Sequence, residues 1–185
     1  MSRVSRLLVL LLALGAASPA SAFDLARLMQ LISQSPASEV PYVEKKYSAL
    51  LSEPVVSSGR LVYRPPDIVE KNMESPRQEG YRIAGRELVV TRNGTQKRIA
   101  HASQPLLAAF AASLRGVLSG DAKLLSEYFR LALAGTEADW KLELTPIDEE
   151  IARYVERIVV SGRAGRVAGI EVREASGDRS VLQVR

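Results

Sequence analysis

The clearest pattern in the chain is an alternation of apolar and polar residues that begins at Gly59. Leu61 and Tyr63 fall on one side of an extended segment, and their charged neighbours fall on the other. A period of two is typical of a half-buried β-strand. The Pro65-Pro66 pair then interrupts the pattern, because proline has no N–H to donate to a strand ladder. A second strand is predicted over 67–74, so we expect a kinked hairpin or a strand pair at the margin of a sheet.

Further short extended runs are predicted along most of the chain. Asn93-Gly94 separates two of them and favours a type I′ hairpin turn, since both residues tolerate positive φ. Trp140 opens another strictly alternating run that ends at Leu144. Together the patterns predict about nine or ten antiparallel strands, of which the last three cover 158–160, 167–172 and 181–184.

Three segments have helical spacing instead. The first covers 24–35, with Asp24 as its N-cap and Pro36 behind it. A helix hairpin is predicted between the two groups of strands. Its first helix begins near Pro105 and ends at Ser119-Gly120, and its second is predicted from Asp121 to Gly135.

This order of elements predicts an α+β fold. Successive strands with tight turns favour one large curved antiparallel sheet, and such a sheet must bury one face, here beneath about three helices. The patterning is equally compatible with an incomplete barrel and with a closed, lipocalin-like barrel.

Residues 1–22 have the features of a cleaved secretory signal. Arg3 and Arg6 precede an apolar run of 11 residues over 7–17, and Ala20-Ser21-Ala22 matches an A-x-A cleavage site. The run is shorter than the roughly 20 residues that span a membrane. Removing 22 of the 185 residues leaves 163, for which we expect a single domain over 23–185, soluble after export.

Composition removes several classes of function. The chain has no cysteine, which excludes disulfides, thiolate metal sites and a diacylated N-terminal cysteine. Its net charge of +4 falls to +2 without the two leader arginines, too little to favour nucleic acid. His101 is the only histidine, which argues against a metal site or a catalytic triad. We expect no enzyme activity and no cofactor.

Hydrophobic capture is the chemistry that remains. Burial stabilises an acyl chain by roughly 0.8 kcal/mol per methylene, so an apolar cavity needs no special groups. The alternation identifies nine candidate lining residues, which could equally form an ordinary filled core. They are Leu61, Tyr63, Val69, Met73, Leu88, Val90, Trp140, Leu142 and Leu144.

The chain also resembles a known family. Gly59, Leu61, the step Arg64-Pro65-Pro66, Met73, Pro76 and Gly85-x-x-Leu88 are similar to the opening strands of the periplasmic outer-membrane lipoprotein carriers, the LolA-like family. The resemblance implies an incomplete barrel plugged by helices. It also implies a lid that includes the first helix, where Leu28 or Met29 would touch the cavity.

The resemblance has three departures. The family places a latch arginine directly before a single proline, whereas Pro65 occupies that position here and the candidate latch Arg64 precedes it. Val69 and Lys71 stand where the family has bulky aromatic residues.

Three functions follow as hypotheses. The first is a periplasmic, monomeric carrier that takes lipidated or amphipathic cargo from an inner-membrane exporter to an outer-membrane acceptor. The alternative is a periplasmic sensor or scaffold that binds a protein partner through the same open sheet. The third is a hydrolase that uses Asp148, Glu149 and Glu150, although carboxylates after a proline more often stabilise the first turn of a helix.

Overall fold

The computed structural model describes residues 23–85, 87–100 and 105–185, without the side chains of Pro105 and Leu107. The predicted signal peptide at 1–22 and His101 lie outside the described residues. Four helices and eleven strands are present in the described part. They are α1 (Leu25–Ser33), β1 (Ser38–Tyr47), β2 (Val55–Arg64), β3 (Ile68–Ser75), β4 (Glu79–Ala84), β5 (Glu87–Arg92), β6 (Thr95–Ala100), α2 (Pro105–Ser119), α3 (Ala122–Ser126), β7 (Phe129–Thr136), β8 (Asp139–Pro146), α4 (Glu149–Ala152), β9 (Val155–Arg163), β10 (Arg166–Glu174) and β11 (Arg179–Val184).

The strands form one curved antiparallel sheet in the order β6-β5-β4-β3-β2-β1-β11-β10-β9-β8-β7. The first and last strands, β1 and β11, pair at its centre and join two meanders. Strands β6 and β7 lie at opposite margins, so the sheet is not closed. The predicted α+β fold with an incomplete barrel is confirmed, with eleven strands where nine or ten were expected and four helices where three were expected.

Of the two arrangements predicted for the first strand pair, the hairpin is confirmed and the position at a sheet margin was wrong. Strand β2 pairs with β1 on one side and β3 on the other, so the hairpin lies inside the sheet rather than at its margin. The reason is that β2 ends at Arg64, and Pro65 and Pro66 fall in the turn before β3. Proline in a turn removes no ladder hydrogen bond from either strand.

The predicted helix from Asp121 to Gly135 was also wrong in its second half. Helix α3 ends at Ser126, and 129–136 forms the margin strand β7, paired with β8. The predicted N-cap is correct, since the Asp121 carboxylate accepts a hydrogen bond from the Leu124 N–H at 2.9 Å. The leucines of β7 at 131 and 133 also alternate, and pairing with β8 satisfies the backbone polar groups that a longer helix would have satisfied.

Several local predictions are confirmed. The Asp24 carboxylate caps α1 by accepting the Arg27 N–H at 2.8 Å. Asn93 and Gly94 have φ values of 49° and 77°, as a type I′ turn requires. Asp148 caps the short helix α4, whose first turn carries Glu149 and Glu150.

Apolar side chains on the face that carries the helices, here called the inner face, form two clusters. The main core packs α1, α3, α4 and one side of α2 on the C-terminal meander and comprises Leu28, Met29, Ile32, Ala109, Val117, Leu125, Phe129, Trp140, Leu142, Leu144, Ile151, Ile158 and Val160. The α2 cluster packs Ala111 of α2 on the N-terminal meander, against Tyr63, Val69, Ile83 and Leu88. Helices therefore bury the inner face in two places.

The outer face of the N-terminal meander is polar. Arg60 Nε lies 2.5 Å from Glu39 Oε1, and Glu70 Oε1 accepts both Arg64 Nη1 at 3.0 Å and Arg82 Nε at 3.3 Å. These pairs are between partly exposed groups, and exposed pairs contribute roughly 0–1 kcal/mol each. They mark the side of the sheet that faces water.

Candidate functional site

Five of the residues proposed from sequence meet in the main core. Leu28 and Met29 of α1 pack there with Trp140, Leu142 and Leu144 of β8, and the last three are completely buried. The Trp140 indole N–H donates to the Ala164 carbonyl oxygen at 2.7 Å. In this structure α1 is therefore packed firmly against the C-terminal meander.

A second group lies beneath α2. Tyr63, Val69, Ile83 and Leu88 are successive cross-strand partners across β2 to β5, so they form one continuous apolar row. Each is at most 7% exposed. The facing part of α2 supplies Ala111, with Leu114 and Leu118 half-buried beside it. Since alanine buries little surface, this part of the helix contact is weaker per residue than a leucine contact would be.

The apolar surface continues beyond α2. Leu61 and Val90 lie in the next inner-face row, in which Lys71 and Tyr81 stand between them. Met73 follows one row further along β3. Leu61, Met73 and Val90 are half-buried, unlike the row beneath α2.

A cleft of about 320 Å³ opens at the margin of this surface, on β4, β5 and β6. We call it the edge cleft, and its walls are mostly hydrocarbon. It is lined by Tyr81, Val90, Arg92, Thr95, Lys97 and Ile99.

Arg64 does not reach either group. It follows Tyr63 on the opposite face of β2, is exposed, and donates to Glu70. Another arginine makes the contact between helix and sheet, since Arg115 of α2 donates through Nη1 to the Gly85 carbonyl oxygen at 3.0 Å. The Gly85 N–H in turn donates to the Asp67 carboxylate at 3.1 Å, so two turns of the sheet are tied to α2.

Polar groups also occupy the inner face. Lys71 Nζ lies 2.6 Å from Glu44 Oε2 and 5.3 Å from the centre of the Tyr42 ring. Tyr42 is 1% exposed and its hydroxyl has no hydrogen-bond partner. Burial, reinforced by the nearby Glu44 carboxylate, raises the pKa of Tyr42 to about 12. The lysine that replaces an expected aromatic residue is thus neutralised by an ion pair.

A second polar group surrounds Glu79, whose side chain is 2% exposed. Its carboxylate accepts a short hydrogen bond from the Tyr81 hydroxyl and lies 2.7 Å from Arg92 Nε and 3.3 Å from Arg77 Nε. We call these four residues the Glu79 network. The Tyr81 hydroxyl and then the Arg92 guanidinium hold the pKa of Glu79 below its usual value of 4.5.

The Glu79 network should make stability sensitive to acid. Because the pKa of Glu79 is lower in the folded state, its stabilising effect is complete above the unfolded value of 4.5 and is lost as the pH falls through the folded value. We expect Glu79→Gln to lose less stability than wild type when urea unfolding is moved from pH 7 to about pH 3. Glu53→Gln, at an exposed loop position, is the control. Equal acid sensitivity in wild type and Glu79→Gln would contradict this role.

Sequence reasoning missed both polar groups and Arg115. One signal was available, since Glu79 shares the alternation of Tyr81 and Ile83 and therefore had to point inward. No comparable signal pointed to Arg115, because its partner is a backbone carbonyl at a distant turn.

The described residues contain neither a cluster of metal-binding side chains nor a helix that could span a membrane. Over 23–85, 87–100 and 105–185, no three His, Asp or Glu side chains come together as a metal site would need. None of the helices in these ranges has both the length and the apolar character needed to cross a bilayer.

Comparison with known proteins gives weak matches to individual structures. A LolA superfamily protein from Nitrosomonas europaea has 14% identity and a TM-score of 0.48, covering 87% of this chain and 89% of that one. A DUF1329 family protein from Desulfovibrio piger has 16% identity and a TM-score of 0.48, covering 88% and 89%. The Mycobacterium tuberculosis lipoprotein LppX has 11% identity and a TM-score of 0.42, covering 87% and 92%.

A match to a sequence model identifies the family of this chain, which the structural matches do not. No curated protein matches the sequence. The sequence model described as "Outer membrane lipoprotein carrier protein LolA-like" matches residues 16–183, which is most of the chain. This chain belongs to the LolA-like family of outer-membrane lipoprotein carrier proteins.

Proposed function

We propose that this chain is a periplasmic carrier that holds the acyl chains of an amphipathic cargo between α2 and the inner face of β2 to β6. It would take the cargo from an inner-membrane donor and pass it to an outer-membrane acceptor. The mature protein would be a single domain over 23–185, monomeric, without catalytic activity or a cofactor. Membership of a carrier family supports this class of function.

One observation carries the proposal. The buried apolar row beneath α2 adjoins Tyr81 and Val90, which are half-buried and line the edge cleft. Apolar surface that runs from under a helix into an open cleft gives an acyl chain a continuous path out of water. Each methylene that enters it gains roughly 0.8 kcal/mol.

The helix contact supports α2 as the moving lid. Its contact with the N-terminal meander depends on Ala111 and two half-buried leucines, so few large side chains hold this part of α2 on the sheet. Its other buried residues, Ala109 and Val117, lie in the main core with three buried residues of α1. The Arg115–Gly85 hydrogen bond would close the lid, in place of the latch that sequence assigned to Arg64.

A neutral alkyl probe tests chain binding directly. Dodecylamine labelled with nitrobenzoxadiazole fluoresces in apolar surroundings, and we expect wild type to bind it. Val90→Glu should weaken binding by about tenfold or more, because the longer, charged side chain, which can pair with Lys97 opposite it, would lie across the apolar floor that the alkyl chain needs. Val89→Glu is the matched control, since Val89 lies on the outer face between Arg82 and Arg98.

Thermal unfolding would verify that both variants fold. A wild-type protein that binds no alkyl probe would contradict the carrier proposal. So would a Val89→Glu variant that loses binding as strongly as Val90→Glu. If wild type bound no probe but bound a membrane-bound regulator in a pull-down experiment, the sensor or scaffold function would replace the carrier function.

A further inference from the structure

The edge cleft has more positive than negative charge. Arg77 and Arg92 both contact Glu79, so a single buried carboxylate faces two guanidinium groups. The Arg92 side chain is 63% exposed and lines the cleft. Glu79 therefore positions Arg92 without cancelling the positive charge that the two arginines bring.

Lys97 adds a second cation on the other side of the cleft. It lies on β6 directly opposite Val90, and its side chain is exposed. In the described part of the chain, no acidic side chain lies within ion-pair distance of it. Its neighbours on the same face of β6, Thr95 and Ile99, are uncharged.

The other charged groups of the inner face do not offset this excess. Lys71 of β3, the cross-strand partner of Tyr81, is neutralised by Glu44 at 2.6 Å. None of the residues that line the cleft is acidic, and Glu79 stands behind Arg92 and Tyr81. The apolar floor of the edge cleft therefore ends between two accessible cations, Arg92 and Lys97.

We propose that the edge cleft selects amphiphiles with an anionic head group, a carboxylate or a phosphate, held between Arg92 and Lys97. The acyl chain then lies along Val90 and Tyr81 toward α2. This inference rests on the proposed carrier function and specifies its cargo. The cleft volume of about 320 Å³ is near the lower limit for a ligand site, so it holds one chain while α2 is closed.

Competition between ligands of equal chain length isolates the head group. Dodecyl phosphate, dodecanoate, dodecanol and dodecyltrimethylammonium, each below its micelle concentration, would displace the neutral alkyl probe from the full chain. We expect the two anions to displace it at a concentration about fivefold or more below that of dodecanol. The trimethylammonium ligand should be the weakest, and added salt should narrow the difference between anion and alcohol.

Lys97→Gln should remove most of the preference for anions while the neutral probe still binds. Arg98→Gln, one residue along β6, is the matched control because Arg98 lies on the outer face and should keep the preference. The comparison of phosphate with carboxylate identifies which oxyanion the cleft favours.

Three results would overturn the inference separately from the carrier function. They are equal displacement by all four ligands, a preference that salt does not change, and a preference that Lys97→Gln keeps or that Arg98→Gln loses equally. A wild-type protein that fails to bind the neutral probe at all would instead remove the carrier function itself.

Discussion

Replacing Trp140 with alanine is expected to lower the free energy of unfolding by about 3–5 kcal/mol. The indole is completely buried in the main core, and its N–H donates to the Ala164 carbonyl oxygen at 2.7 Å. The variant would leave a large cavity and an unpaired acceptor next to the β9–β10 turn. Against a typical total of about 5–15 kcal/mol, a loss of this size removes much of the stability of the fold.

Urea unfolding followed by far-ultraviolet circular dichroism measures this loss, because Trp140 is the only tryptophan and the variant has no indole fluorescence. Trp140→Phe keeps a buried ring and should lose less. Tyr154→Ala, at a site that is 58% exposed, should change stability by less than about 0.5 kcal/mol. A loss below about 1 kcal/mol in Trp140→Ala would show that the main core does not depend on the indole.

The alternation of apolar and polar residues identified most strands because one face of the sheet is buried and the other faces water. Tyr63 and Arg64 are adjacent in sequence, yet one is 7% exposed beneath α2 and the other is an exposed partner of Glu70. Because successive side chains of a strand point to opposite faces, the alternation predicts this difference in exposure between the two residues. The same argument located the inner-face residues of β2, β3, β5 and β8, although it could not say which helix would cover them.

The segment 129–135 shows where local pattern fails. Phe129 and Leu133 are four residues apart, as a helix requires, while Leu131 and Leu133 alternate, as a strand requires. Leucine and alanine also favour helices in isolation. The segment forms a strand because it pairs with β8 along its whole length, and no residue inside the segment indicates that pairing.

The charges of the candidate site were the least predictable part. The Glu79 network joins residues of β4, β5 and the β3–β4 turn. Its importance for the site depends on the burial of the Glu79 carboxylate, which the sequence alone does not give. Lys97 is one of several basic residues on β5 and β6, and only the register separates it from Arg98 on the opposite face. A one-residue change of register would exchange their positions.

Gly120→Ala is expected to destabilise the protein by about 3 kcal/mol, through two separable effects. Gly120 has a φ of +70°, and an alanine there costs roughly 1 kcal/mol or more in backbone strain. In addition, its Cβ would lie 2.2 Å from the Met29 carbonyl oxygen and 2.9 Å from the Ser33 nitrogen. Helix α1 would have to move away from the α2–α3 turn. Because α1 contributes three buried residues to the main core, this movement would disturb the packing there. Overpacking of this kind costs about 1–3 kcal/mol more.

Gly94→Ala separates the two effects, because Gly94 has a similar φ of +77° but no atom within 4 Å of the added Cβ. It should lose only the roughly 1 kcal/mol of backbone strain. Thermal and urea unfolding of both variants would measure the difference, which is the cost of separating α1 from the α2–α3 turn. That cost bears on the lid, since a carrier that lifts α2 must keep α1 packed on the sheet. Equal losses in the two variants would show that α1 and the α2–α3 turn separate at little cost, and α2 could then move without α1 when the lid opens.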